Sequence, residues 1–100
     1  MITRISIGFF EPPQADDVAA MLERSGQTLI PAIHKLSGLQ KYVVGLDRIK
    51  GAMTNTSFWD SLEDAQQMAS LPEMLALRAE FERLGIRFVE ITNHDLVWEL

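Results

Sequence analysis

The sequence predicts an α+β fold of the ferredoxin-like kind, a four-stranded antiparallel sheet with helices on one face, in a single domain spanning residues 1–100. Three observations predict it. Residues 2–10 alternate with the period of two that marks a strand, and Leu39 to Asp47 and Ala52 to Trp59 are built from strand-forming residues. Apolar residues between Ala15 and Leu36 recur every three or four positions, the period of a helix. The elements then follow in the order strand, helix, strand, strand, helix pair, strand, the split β-α-β arrangement.

The first strand places Ile5, Ile7 and Phe9 on one face and Arg4, Ser6, Gly8 and Phe10 on the other. Glu11-Pro12-Pro13 stops it, because neither proline donates to a ladder. Val18, Leu22, Ser25, Leu29, Ile33 and Leu36 mark the first helix. Gly26 and Pro31 weaken its interior and predict a bent helix, or a helix followed by a short second one. Ser37-Gly38 supplies its stop. Tyr42-Val43-Val44 centres the second strand, and the polar turn 47–51 joins it to the third as a hairpin.

Helix signals follow Trp59 at once. Asp60 with Glu63, and Ser61 with Asp64, both fit a capping box, with Leu62, Ala65, Met68 and Ala69 as the inner stripe. Ser70-Leu71-Pro72-Glu73 repeats the signal, so a new helix starts near Leu71 along Met74, Leu77, Phe81 and Leu84 and ends at Gly85. Ile86 to about Leu100 reads as a long last strand, interrupted at Asn93-His94.

Composition narrows the partners. A net charge of −5, with nine scattered Lys and Arg, excludes the basic face that phosphate backbones require. No segment has the roughly 18 apolar residues of a membrane span, and the N-terminus alternates like a strand rather than a leader. The absence of cysteine excludes disulfides and thiolate sites and fits a cytoplasmic location. With two His at no ligand spacing, no metal site is expected.

The strands carry apolar side chains on both faces: Phe9 beside Phe10, Val43 beside Val44, Phe58 beside Trp59, Phe88 beside Val89. Helices cover only one face. An open face of roughly 400–600 Å² contributes about 10–15 kcal/mol when buried, at about 25 cal/mol per Å². Association costs about 4–15 kcal/mol, so a homodimer packed sheet face to sheet face is expected. The alternative is a monomer with a half-polar outer face, since Lys41, Thr54, Thr56 and Arg87 are polar.

The residues with chemical potential are few. Asn55, Ser57 and Trp59 share one strand face. There an amide and an indole suit a small aromatic ligand, or else Trp59 plugs the strand–helix corner while Asn55 bonds backbone. Arg78 lies in register between Met74 and Phe81, able to reach a substrate oxyanion or to pair with Glu82 at i+4. His94 and His34 are the only imidazoles; Tyr42 is the only phenol. Ser6 and Gly8 leave room for a ligand or for close packing. No phosphate loop, nucleophile elbow or nucleophile–base pair is present, so the catalytic candidates are His94 and Arg78.

The strand order, the run Gly38-x-x-x-Tyr42-x-x-x-x-Asp47, and a strand ending in Trp59 before Ser-Leu-Glu-Asp-Ala resemble the antibiotic biosynthesis monooxygenase domain of the dimeric α+β barrel superfamily. The resemblance implies a cavity between sheet and helices, lined by an Asn and by a Trp four residues later, which Asn55 and Trp59 match. It implies no cofactor. An Arg on the following helix corresponds to Arg78, and the Tyr of such oxygenases falls near Ala65 here. The haem-degrading branch does not fit: its Asn, Trp and His positions fall on Ser6-Ile7-Gly8, Met68 and a stretch around Arg78 without His.

By resemblance, the expected function is a cofactor-independent oxygenase on a small aromatic or polyketide-like molecule, with Asn55 and Trp59 binding substrate. The alternatives are a cofactor-free cyclase or isomerase, with His94 or Tyr42 as base, and a non-catalytic dimeric ligand-binding protein.

Overall fold

The computed structural model describes residues 1–100 and has the predicted order. Strand β1 (Ile2–Phe9) leads through a short 3-10 turn at Pro12–Gln14 into helix α1 (Ala15–His34). Strands β2 (Leu39–Asp47) and β3 (Ala52–Trp59) form the hairpin. Helix α2 (Leu62–Gln66) runs through a 3-10 turn at Gln67–Ser70 into α3 (Pro72–Arg83), and the chain ends in β4 (Arg87–Phe88) and β5 (Thr92–Asp95). The sheet order is β2-β3-β1-β4, all antiparallel, with β5 also on β1.

Local chemistry explains the joints. The Asp47 carboxylate accepts from the amides of Ile49 and Lys50, at 3.1 and 2.9 Å, and folds the hairpin turn. Gly51 closes that turn at φ +76°, and its carbonyl accepts from the Phe10 amide at 2.9 Å. Of the two capping signals before α2, Ser61 is the one used: its hydroxyl accepts from the Asp64 amide at 3.1 Å.

Several expectations are corrected. Helix α1 is continuous through Gly26 and Pro31, so no separate short helix follows it. Leu29 and Ile33 are buried on either side of the proline and hold the last turn on the sheet. Pro31 and Gln27 are exposed, so the carbonyl that the proline leaves without a donor faces water. Helix α3 starts after Leu71 with Pro72 in its first turn and no side-chain cap, so Ser70 does not act as one. Leu62 and Leu84 are exposed and belong to neither inner stripe.

The last strand breaks at residues 89–91, not at Asn93-His94, and ends at Asp95. Gly8 pairs with Phe88 and Ile5 with Thr92, so three residues, 89–91, oppose two, Ser6 and Ile7. This extra residue is a β-bulge, which exchanges the faces of everything after it. Phe88 and Ile91 consequently both reach the helix side.

The core lies between sheet and helices, around Trp59, Phe81, Met68 and Val18. Met53, Ser57 and Trp59 point into it from β3. Register then sets β1: Arg4 lies opposite Ser57, Ser6 opposite Asn55, Gly8 opposite Met53. The polar face of β1 therefore turns toward the helices, and the apolar face with Ile5, Ile7 and Phe9 turns away from them. A Cβ on Gly8 would stand 2.9 Å from the Phe88 ring, so close packing of Phe88 requires glycine there.

Candidate functional site

A cavity of about 450 Å³ opens between the sheet and helices α1 and α3. That is within the range of about 300–1,000 Å³ of small-molecule sites. Leu29 and Ile33 of α1 and Leu77 and Phe81 of α3 form its apolar walls. Ile30, Val44 and Leu75 are exposed members of the lining and make a greasy rim.

The sheet supplies the polar floor: Arg4 and Ser6 from β1, Tyr42 from β2 and Asn55 from β3. Tyr42, Ser57 and Arg4 form one cross-strand row, and Val44, Asn55 and Ser6 the next. The Oδ1 of Asn55 is buried and accepts no hydrogen bond. Such an acceptor left unsatisfied costs about 1–3 kcal/mol.

Arg4 is 7% exposed and joins neither ion pair of the molecule, Arg48–Asp16 or Arg78–Glu82. Burial lowers its guanidinium below the usual arginine range; Tyr42 opposes this and Arg78 adds to it. Burial also pushes the Tyr42 phenol up to about 12, with Arg4 pulling the other way. Tyr42 is thus a neutral hydroxyl near pH 7, able to donate to an acceptor.

Arg78 reaches the lining from α3, with its Cζ 4.6 Å from the centroid of the Phe88 ring. Its Nε lies 3.9 Å from Glu82 Oε1, so the arginine lines the cavity and pairs with Glu82 at once. Phe88 in turn meets Phe81 edge to face at 6.4 Å.

The other candidates lie elsewhere. Trp59 shares the inner face with Asn55 but is 0% exposed and outside the lining; its Nε1 donates to Ser57 Oγ at 2.8 Å. His94 is exposed on β5 beside Thr92 Oγ1 at 2.8 Å, outside the lining, and His34 is exposed at the end of α1. Gly8 gives way to Phe88, whereas Ser6 lines the cavity. Ala65, at the tyrosine position of the resemblance, is fully buried in the core.

Sequence reasoning missed Arg4. Its signal was the alternation Arg4, Ser6, Gly8 against Ile5, Ile7, Phe9, which separates the faces of β1 without saying which is covered.

Fold and site define a ferredoxin-like α+β protein with a ligand-sized cavity between sheet and helices. No known sequence family and no curated protein matches the chain. Solved structures do. A proposed antibiotic biosynthesis monooxygenase from Deinococcus radiodurans superposes with TM-score 0.76 at 19% identity, over 100% of this chain and 96% of that one. SnoaB, a cofactor-independent oxygenase from Streptomyces nogalater, matches with TM-score 0.68 at 12% identity, over 99% and 95%. Rv0793 from Mycobacterium tuberculosis matches with TM-score 0.68 at 14% identity, over 99% and 98%. The chain has the fold of antibiotic biosynthesis monooxygenase-like proteins along its whole length.

Proposed function

We propose that this protein is a cofactor-independent oxygenase acting on a small hydroxylated aromatic or polyketide-like molecule held in the cavity. The observation that carries the reading is Asn55 Oδ1, a buried acceptor without a partner at the floor of an apolar chamber. A ligand hydroxyl satisfies it, while the apolar walls hold the rings. Arg78 stabilises negative charge that develops on the bound molecule. Trp59 acts from behind the floor, holding Ser57 and the strand that carries Asn55. That SnoaB, which shares the fold, is a cofactor-independent oxygenase supports the same reading.

The reaction balances without a further reductant. An activated methylene, or the hydroxyl of a phenol, loses a proton to water, and the resulting anion passes one electron to dioxygen. The two radicals join in a carbon–oxygen bond. The peroxide is protonated, its O–O bond breaks, and loss of the hydrogen that remains on that carbon as a proton leaves a carbonyl and one water. The protein contributes desolvation, orientation and anion stabilisation.

An oxygen electrode tests this with a panel of anthrones and dihydroxynaphthalenes. Uptake is expected with at least one class and falls about tenfold or more in Asn55→Ala. Uptake unchanged in Asn55→Ala overturns the role of that residue. A second reading, a binding protein without turnover, is favoured by a lining that holds no His, Asp, Glu or Lys. Tight binding with no uptake across the panel selects it. A cyclase or isomerase has less support, because Tyr42 at about 12 is a poor base near neutrality.

We further propose a homodimer that closes over the open sheet face. Phe9, Val43 and Val89 are exposed there, and Ile5, Ile7 and Phe58 only half-buried. The arm after β5 carries Val97 and Trp98, 84% and 80% exposed, and would be covered in the same assembly.

A further inference from the structure

Arg4 is the only charged side chain of β1, and it points inward. Directly opposite on its row stand Ser57 and Asn93, neither of them an acid. The cavity lining contains Arg4 and Arg78 and no carboxylate. Arg78 has Glu82 within 3.9 Å, whereas Arg4 has no ion pair and donates no hydrogen bond to another side chain or to the backbone. The chain is not short of acids, with 14 Asp and Glu against nine Lys and Arg. A cation largely withdrawn from water calls for a compensating anion, and no side chain of the protein supplies it.

We infer that the cavity takes an oxyanion, the carboxylate or the ionised phenol or enol of a flat, largely apolar molecule, and that Arg4 is the residue that holds it, with the Tyr42 hydroxyl as a second donor. The inference rests on the reading of the cavity as the ligand site. The guanidinium fork matches a carboxylate in two parallel bonds and an enolate oxygen in one. Tyr42, two strands away on the same row, stays protonated because of its burial and so donates to the same oxygen rather than repelling it. Arg78 enters the same cavity from α3, already part-neutralised by Glu82. Arg4 is therefore the stronger of the two anion contacts. The low-dielectric walls strengthen it further.

The test uses the purified full chain and two probes that read charge. 2-Naphthoate and 2-naphthamide share a shape and differ in charge, and 4-nitrophenol reports its own ionisation by its absorbance. Calorimetry is expected to show naphthoate bound about tenfold or more tightly than naphthamide, and bound nitrophenol should titrate about one pH unit lower than free nitrophenol. In Arg4→Gln the acid-to-amide ratio should fall to within about threefold and the nitrophenol shift should vanish, whereas Arg4→Lys restores part of both. The ratio, not the absolute affinity, is the readout, so a variant that only loosens the fold does not imitate the result. The wild-type arms decide the charge of the ligand even where Arg4→Gln fails to fold.

A preference for naphthoate alone assigns a carboxylate, and a nitrophenol shift alone assigns a phenolate or enolate. Equal binding of acid and amide with no shift overturns the oxyanion and leaves the cavity reading standing. Failure of every probe to bind overturns both. A ratio that survives in Arg4→Gln overturns the assignment to Arg4.

Discussion

The indole of Trp59 donates its Nε1 proton to the hydroxyl of Ser57, 2.8 Å away and two residues back on the same strand face. Both side chains are buried, at 0% and 1% exposure, and the bond is satisfied within β3 itself. It ties the edge of the core to the row that carries Tyr42 and Arg4.

Ser57→Ala leaves that indole proton without an acceptor in the core. The expected loss is about 1–3 kcal/mol of unfolding free energy, measured by urea denaturation. Trp59→Phe removes donor and volume together and is expected to lower stability more than ligand affinity. A large affinity loss at unchanged stability would place the indole in contact with ligand.

Asn55 shows the opposite balance. Its Oδ1 is buried without a partner, so Asn55→Leu removes an unsatisfied acceptor and should leave the protein as stable as before or more stable, by up to about 2 kcal/mol. Ligand affinity should fall about tenfold in the same variant. Thermal melts and calorimetry read the two effects separately.

Tyr42 is the only tyrosine, so phenolate absorbance reports it alone. Its folded value of about 12 exceeds the unfolded 10.0, and the native state therefore keeps the proton longer. Its contribution is complete below pH 10 and is lost as pH rises through 12. The loss amounts to about 2–3 kcal/mol. Tyr42→Phe should abolish this slope between the two values. A phenol that titrates near 10 in the folded protein contradicts the assignment.

The open sheet face predicts association. Sedimentation at micromolar concentration should give about twice the 11.3 kDa chain mass. Val43, 43% exposed on that face, gives a clean variant. Val43→Glu should shift the protein toward monomer and leave the secondary structure seen by circular dichroism unchanged. A monomeric wild type removes the dimer.

Gly8→Ala sets a methyl 2.9 Å from Phe88 Cε1 and 3.0 Å from Ile86 Cγ2. Phe88 cannot yield without moving the ring under Arg78. The cost is expected at about 1–3 kcal/mol, accompanied by weaker ligand binding. Unchanged affinity would show that the seat of Arg78 is immaterial.

Much of the fold was legible in the sequence. The alternation of β1, the period of α1, the Asp47 turn and the Ser61 cap are decided by neighbours within four residues. Pro31 does not split the helix, because a proline's effect depends on what packs around it. Here Leu29 and Ile33 clamp the helix on either side of it. The last strand misled because a one-residue bulge leaves no mark in composition. The site was half legible. Asn55 and Arg78 were visible as polar residues on apolar faces, whereas His94 drew attention only as an imidazole and stands outside the lining.

By itself the sequence determined the kinds of element, their order, and which residues share a face, because these follow from short-range geometry and periodicity. Only the tertiary structure decided which face of β1 looks inward. Pairing with β3, whose Met53 and Trp59 are committed to the core, turns Arg4 toward the helices and Ile5 and Ile7 away from them. A period of two distinguishes the two sides of a strand but cannot choose between them. That choice placed a buried cation in a greasy chamber.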